Sequence, residues 1–354
     1  MLKKLVKEAT VLLFTSILII STINATANTI QKNTTKNNNV SKILSGTTWY
    51  VDDDAAPDGD GSKEHPFKTI KEALEHAESG DTIFVFEGLY KENLVINQSN
   101  IALIGEKKES TTIQGSNVVI GSSTVRINGE YVEINNFTIK GGETIEWTIW
   151  TGNYSKIRNN IITDGENGIM VAYVPYQTAQ YVSITNNIIK NNSKGINIFC
   201  STLERVRSDC IVTNNIISNN HVGIAVRLLE GNIIQDNQIL HNKEHGIRVS
   251  HSSSNKILEN LIENTSGSGI YLLYSSDNTI KGNTISYNKI GIKIEKCKYD
   301  TDTLKEDNTF INNENDIESH ARSKYFSLNQ FHLLSPRSII RFLSRYIYLL
   351  PKFR

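Results

Sequence analysis

From residue 158 into the 310s the chain repeats one arrangement of apolar and polar positions: RNNIITDGENGIMV, TNNIIKNNSKGINI, TNNIISNNHVGIAV, QDNQILHNKEHGIRV, LENLIENTSGSGIYL, KGNTISYNKIGIKI and EDNTFINNENDIES. The second Asn of each pair, or its equivalent, falls at Asn160, Asn187, Asn215, Asn237, Asn260, Asn283 and Asn308, in steps of 27, 28, 22, 23, 23 and 25 residues. Short alternating apolar stretches recurring at such a period predict stacked coils, each supplying short β-strands to a solenoid. The alternation is read as pointing Ile161, Ile188 and Ile216 inward together with Ile169, Ile196 and Ile224, so that like stacks on like between coils. No coil buries its own core. Gly168, Gly195, Gly223, Gly246, Gly269 and Gly291 precede the second strand, where a turn or a close approach leaves no room for a Cβ. Asn at the preceding corner tolerates left-handed backbone and can hydrogen-bond to its copy in the next coil, forming a ladder.

A solenoid needs covered ends, because its terminal coils expose an apolar cross-section and sheet edges. The segment HPFKTIKEALEHAESGD predicts a capping helix over about 66–78: Pro66 suits its start, Ile70, Ala73, Leu74 and Ala77 share a face, and Gly80 ends it. At the other end, residues 321–354 form a basic tail. In SPRSIIRFLSRYIYLLPKFR an amphipathic helix is expected over about 336–350, its apolar stripe of Ile339, Phe342, Leu343, Tyr346, Ile347 and Leu350 opposed by Arg337, Arg341 and Arg345. Such a helix can plug the last coil or lie on a membrane surface.

The start reads as an export signal. Lys3, Lys4 and Lys7 precede an apolar run from Val11 to Ile20 and then Ala25-Thr26-Ala27, so cleavage is expected after Ala27. Residues 28–46 lack apolar periodicity and are expected to be a disordered leader. The β-helix domain is then 47–320. The formal charge of zero hides an asymmetry, since residues 28–321 hold 27 basic and 36 acidic residues, whereas 322–354 hold seven basic and none acidic. An acidic body excludes nucleic acid as a partner, whose phosphates need a basic footprint.

Three cysteines are an odd number for an exported chain. Cys200 and Cys210 bracket STLERVRSD, which interrupts the repeat, and a disulfide closing that loop is expected. Asp52, Asp53, Asp54, Asp58 and Asp60 crowd one turn without the spacing of a Ca²⁺ loop. Without a His, Cys or Met cluster at ligand spacing, no metal or other cofactor is expected. Sequons at Asn97, Asn136, Asn153, Asn191 and Asn264 are what an Asn-rich chain produces by chance, and equally acceptors for a glycosylating host.

The run WYVDDD…PFKTIKEALEHAESGDTIFVFEGLYKENLVIN…IALIG, followed by the NN-x-I…G-I repeats, resembles the right-handed β-helix proteins of the pectin-lyase-like superfamily and, within it, the periplasmic NosD-like β-helix domain. The likeness covers roughly residues 48–318. It implies an all-β, right-handed, single-stranded parallel β-helix with coils of about 22–28 residues, carrying the N-terminal capping helix and the C-terminal amphipathic helix. The superfamily includes lyases, hydrolases, esterases, epimerases and adhesins, so the likeness speaks for fold more than for function. The paired aspartates of polygalacturonase-like hydrolases, the Asp-Pro-His run of mannuronan epimerases and the pectin methylesterase signatures are missing, and no catalytic residue is carried over.

Function is therefore read on the outward faces. Two residues after each repeat Gly come Met170, Asn197, Ala225, Arg248, Tyr271 and Lys293; four after come Ala172, Phe199, Arg227, Ser250, Leu273 and Glu295. Arg248, Tyr271 and Lys293, with Arg227 and Glu295 in the next column and His251 and Tyr274 at the edge, form a candidate patch for an acidic glycan. Tyr173, Tyr176 and Phe199, with Tyr181, Trp147 and Trp150, are expected to form an aromatic wall beside it. The leading expectation is an exported protein, secreted or held in the cell envelope, that binds extended carbohydrate on its later coils. Its rivals are a polysaccharide lyase or glycoside hydrolase on the same groove, a structural or adhesive surface protein, and an accessory factor for an exported metalloenzyme.

Overall fold

A computed structural model describes residues 46–116, 122–142, 145–174, 178–201 and 206–320. They form a parallel β-solenoid of three ten-stranded sheets, in which each chain turn adds one strand to every sheet. Sheet A runs from Thr48–Val51 to Thr279–Lys281, and sheet B from Gly88–Tyr90 to Thr309–Ile311. Sheet C, which matters most below, comprises Leu94–Ile96, Ser122–Ile127, Ile145–Trp150, Asn167–Tyr173, Lys194–Cys200, Val222–Arg227, His245–Ser250, Ser268–Leu273, Ile290–Glu295 and Asn315–His320.

Isoleucines fill the interior in registered columns. Ile169, Ile196, Ile224, Ile247, Ile270 and Ile292 pair in sequence along sheet C and are inaccessible to solvent. On sheet B the phase differs from the sequence expectation. Ile162, Ile189 and Ile217 are the buried residues, whereas Ile161 and Ile188 are half-buried and Ile216 is exposed. The cause is the preceding Asn: because Asn160, Asn187 and Asn215 are themselves buried, period two turns the next residue outward and the following one in.

The corner roles are divided between the two residues of each Asn pair. Asn159, Asn186 and Asn214 take left-handed backbone, at φ 57°, 58° and 57°, and so let the chain turn. The second residue enters the ladder. Asn160, Asn187, Asn215, Asn237, Asn260 and Asn283 each donate Nδ2 to Oδ1 of the next, ending on Asn308, at 2.8–3.1 Å. Further ladders join Asn192, Asn220 and Asn242, and Asn232, Asn255, Asn278 and the Tyr299 hydroxyl. The repeat glycines serve close approach: a Cβ on Gly195 would lie 2.7 Å from the Gly223 carbonyl oxygen.

Helix α1 spans Ile70–His76 and packs on the first strands of sheets A and C. It is shorter than the expected 66–78. Pro66 does not start it, because Phe67 is still extended and bridges Val51; Thr69 is the N-cap, in a capping box with Glu72. The expected apolar face holds, with Ile70, Ala73, Leu74 and Ala77 all buried. Helix α2, Thr301–Asp307, was not foreseen and buries Leu304 beside the last strands of sheets A and B. The predicted export signal, leader and tail helix lie outside the described residues.

The expected disulfide is absent. Cys200 and Cys210 are not joined, and neither has exposed surface. Cys200 stands five residues after Gly195, the inward phase of its strand, and both side chains belong to the core. The Cys210 sulfur donates to the Ser208 carbonyl at 3.4 Å, and burial pushes its pKa up to about 12.

Candidate functional site

The outward face of sheet C is a set of straight columns fixed by strand register. One runs Arg126, Trp150, Met170, Asn197, Ala225, Arg248, Tyr271, Lys293, Glu318. Its neighbour runs Ala172, Phe199, Arg227, Ser250, Leu273, Glu295, His320. Arg227, Arg248, Tyr271, Lys293 and Glu295 thus share one surface, as even offsets from the repeat glycines required. His251 and Tyr274 occupy the corner immediately beyond, both in left-handed backbone, with rings 4.8 Å apart and the Lys296 ammonium 5.0 Å from the Tyr274 ring.

The polar half is organised around Tyr271. Its hydroxyl donates to Glu295 Oε2 at 2.8 Å, Arg248 lies 5.8 Å from its ring centre and Lys293 5.6 Å. Lys293 also pairs with Glu295 at 2.9 Å and Glu318 at 3.7 Å. These contacts decide what the groups can do chemically. Burial and the bond to Glu295 raise the Tyr271 pKa, and the Glu295 bond raises that of Lys293. Both stay protonated at neutral pH, so neither is a ready base for β-elimination.

His245, which sequence reasoning passed over, completes this patch. It precedes Gly246, is 9% exposed, and its ring centre is 4.6 Å from that of Tyr271. Burial pushes its pKa down to about 4, Glu244 opposing and Arg248 reinforcing the shift. Its Nδ1 is buried without a hydrogen-bond partner among the described residues. No offset marks it in the sequence, because it stands one residue before Gly246, an odd offset, and the stacking of the coils brings its ring onto Tyr271.

The aromatic half lies on earlier coils. Trp150, Met170, Ala172 and Val174 form a second apolar cluster outside the solenoid core, with Trp147 and Phe199 packed against it. The predicted wall is otherwise dispersed. Tyr173, at an odd offset from Gly168, packs on the solenoid core instead. Tyr181 stacks on Tyr154, and Tyr154 on Tyr131, along the corner that leads into sheet A, at 5.0 and 4.5 Å. Tyr176 lies outside the described residues.

With this geometry in hand, comparison with known proteins places the chain. The family model described as "Periplasmic copper-binding protein (NosD)" matches residues 75–332. The chain belongs to the NosD family. A probable pectinesterase/pectinesterase inhibitor 17 of Arabidopsis thaliana is 30% identical over 143 residues, 40% of this chain and 27% of that protein. Uncharacterized protein YwoF of Bacillus subtilis is 34% identical over 87 residues, 25% of this chain and 18% of its own. The chain therefore spans about a quarter or less of these relatives. Among solved structures, pectate lyase Pel9A matches with a TM-score of 0.57 at 12% identity, covering 82% of this chain and 86% of that one. XylC in complex with xylose gives 0.57 at 13%, covering 77% and 70%. Together with the sheets above, these likenesses make the fold a pectin-lyase-like parallel β-helix.

The family description raises copper, and the described residues do not fit it. Asp52, Asp53 and Asp54 are the group of three among them whose ligand atoms converge within 4.8 Å. They are hard carboxylates, whereas copper favours imidazole and sulfur. His221 and His245 both approach Glu244, at 3.3 and 3.6 Å, but their ligand atoms and its carboxylate do not converge within 4.8 Å of one another.

Proposed function

We propose that this NosD-family protein is exported and binds extended carbohydrate along the outward face of sheet C, with no turnover by Lys293 or Tyr271. The observation that carries the reading is the pair of registered columns, aromatic and apolar at Trp150, Met170 and Phe199, cationic and hydrogen-bonding from Arg227 to Lys293. Coils rise by about 4.8 Å, close to one sugar residue, so a polymer lying along the axis meets a new side chain at each step. The pectinesterase relatives and the xylose-bound structural neighbour support a carbohydrate ligand. The family's periplasmic description and the N-terminal sequence pattern support export.

A glycan array probed with the mature chain tests the reading. Binding to polysaccharide without release of shorter or unsaturated products is expected. Appearance of unsaturated uronate ends would replace the binding protein with a lyase, and an empty array would remove carbohydrate altogether.

A further inference from the structure

The charge pattern on sheet C narrows the ligand beyond carbohydrate in general. Lys293 is neutralised by Glu295 and Glu318. Arg126 donates to Asn128 at 3.1 Å and lies against Trp150. Lys194 stands on the opposite flank, paired in register with Asn167 and Val222. Arg227 and Arg248 differ from all of these. They sit in consecutive coils and adjacent columns, separated only by Ala225, opposite Arg248, and Ser250, opposite Arg227. Each guanidinium rests on a ring, Arg227 at 5.7 Å from Phe199 and Arg248 at 5.8 Å from Tyr271. Stacking orients the planar donors without using them. Neither arginine has a carboxylate within ion-pair distance among the described residues.

The geometry points to a single anion subsite between Arg227 and Arg248 that holds one sugar carboxylate of a glycan whose adjoining residues are neutral. This rests on the reading that sheet C binds glycan. The two flanks give the reason for a single charge. Toward the N-terminal coils the same columns present Asn197, Phe199 and Met170, and no cation stands in them before Arg126 beside Trp150, so a carboxylate on the coils between would be desolvated without an opposite charge. Toward the C-terminal coils they present Glu295 and Glu318, which repel it. A polyuronate, with a carboxylate on every sugar, would place its next charges against one flank or the other. A sparsely acidic chain avoids both, and its neutral pyranose faces suit the aromatic coils.

Calorimetric titration of the mature chain with three oligosaccharides of equal length tests this: a xylo-oligosaccharide bearing one glucuronate, the unsubstituted xylo-oligosaccharide, and an oligogalacturonate. The singly charged probe is expected to bind best. Arg227→Gln and Arg248→Gln should each weaken it by about tenfold, the loss of one charge-assisted contact, and leave the neutral probe unchanged. Lys256→Gln on the outer face of sheet A serves as the control for net charge. Tightest binding of the oligogalacturonate, or arginine variants that match the native protein on the charged probe, overturns the subsite. If none of the three binds, the subsite is also refuted, and the array result then tells whether the glycan reading has fallen with it.

Discussion

Two residues show how much of this fold depends on buried polar chemistry. Asn237 donates to the Val212 and Gln235 carbonyls and to Asn260, and accepts from both the backbone and the side-chain nitrogen of Asn215. Asn237→Ala removes a group that satisfies several others, each left buried at a cost of about 1–3 kcal/mol. The expected loss is about 3 kcal/mol in denaturant unfolding, and a loss below about 1 kcal/mol would mean that the ladder is decorative. His245 provides the second case. Its folded pKa of about 4 lies below the ordinary 6.5, so the unfolded chain takes up a proton first as pH falls. The associated stability is complete above about pH 6.5 and is lost toward about pH 4. His245→Asn should flatten the stability profile in that window. Equal slopes for the variant and the native protein would show that the histidine is not held neutral.

At the scale of strands and helices, the sequence was informative wherever a periodic phase could be anchored. The repeat glycine anchors sheet C, and every outward residue counted from it, Arg248 and Lys293 among them, takes its place in the registered columns. Sheet B had no such anchor, because a buried Asn is polar by composition and interior by position, and Ile161 was assigned the wrong face. The odd offsets of Cys200 and Tyr173 from their repeat glycines mark them as inward, and strand phase is a stronger signal there than the spacing of the loop. The pairing of Lys293 with Glu295 was equally visible as an i, i+2 pair on one strand face. What no offset discloses is His245 packing on Tyr271, which needs the coils stacked. The capping box of α1 was also present in the letters TIKE. Thr69 accepts from the Glu72 backbone at 3.2 Å, and Glu72 accepts from the Thr69 backbone at 3.0 Å. Thr69→Ala should cost about 1 kcal/mol, with faster amide exchange confined to α1 and the first coil. Faster exchange across the repeat coils instead would show that the helix is coupled to the whole stack.

A solenoid as a whole is as stable as its ends allow, since each coil leans only on its neighbours. The N-terminal end has α1, with Ile70, Ala73 and Leu74 buried against the first strands of sheets A and C. The C-terminal end is less well covered within the described residues: α2 packs beside Thr279–Lys281 and Thr309–Ile311, the last strands of sheets A and B, but Asn315–His320 ends sheet C and the inward Phe310 and Ile317 are only half-buried. An open coil of this kind leaves unpaired backbone groups and apolar side chains facing water. The sequence of residues 335–354 carries an apolar stripe of matching character. We therefore expect this segment to act as the second cap. Its arginines complement an acidic body, which a negatively charged membrane would repel. Deleting residues 335–354 should lower the melting transition by several degrees and raise binding of a hydrophobic dye, while the intact protein ignores anionic vesicles. An unchanged transition combined with vesicle binding lost on deletion would make the segment a membrane anchor instead, and the last coil would then be stable with its apolar residues partly in water.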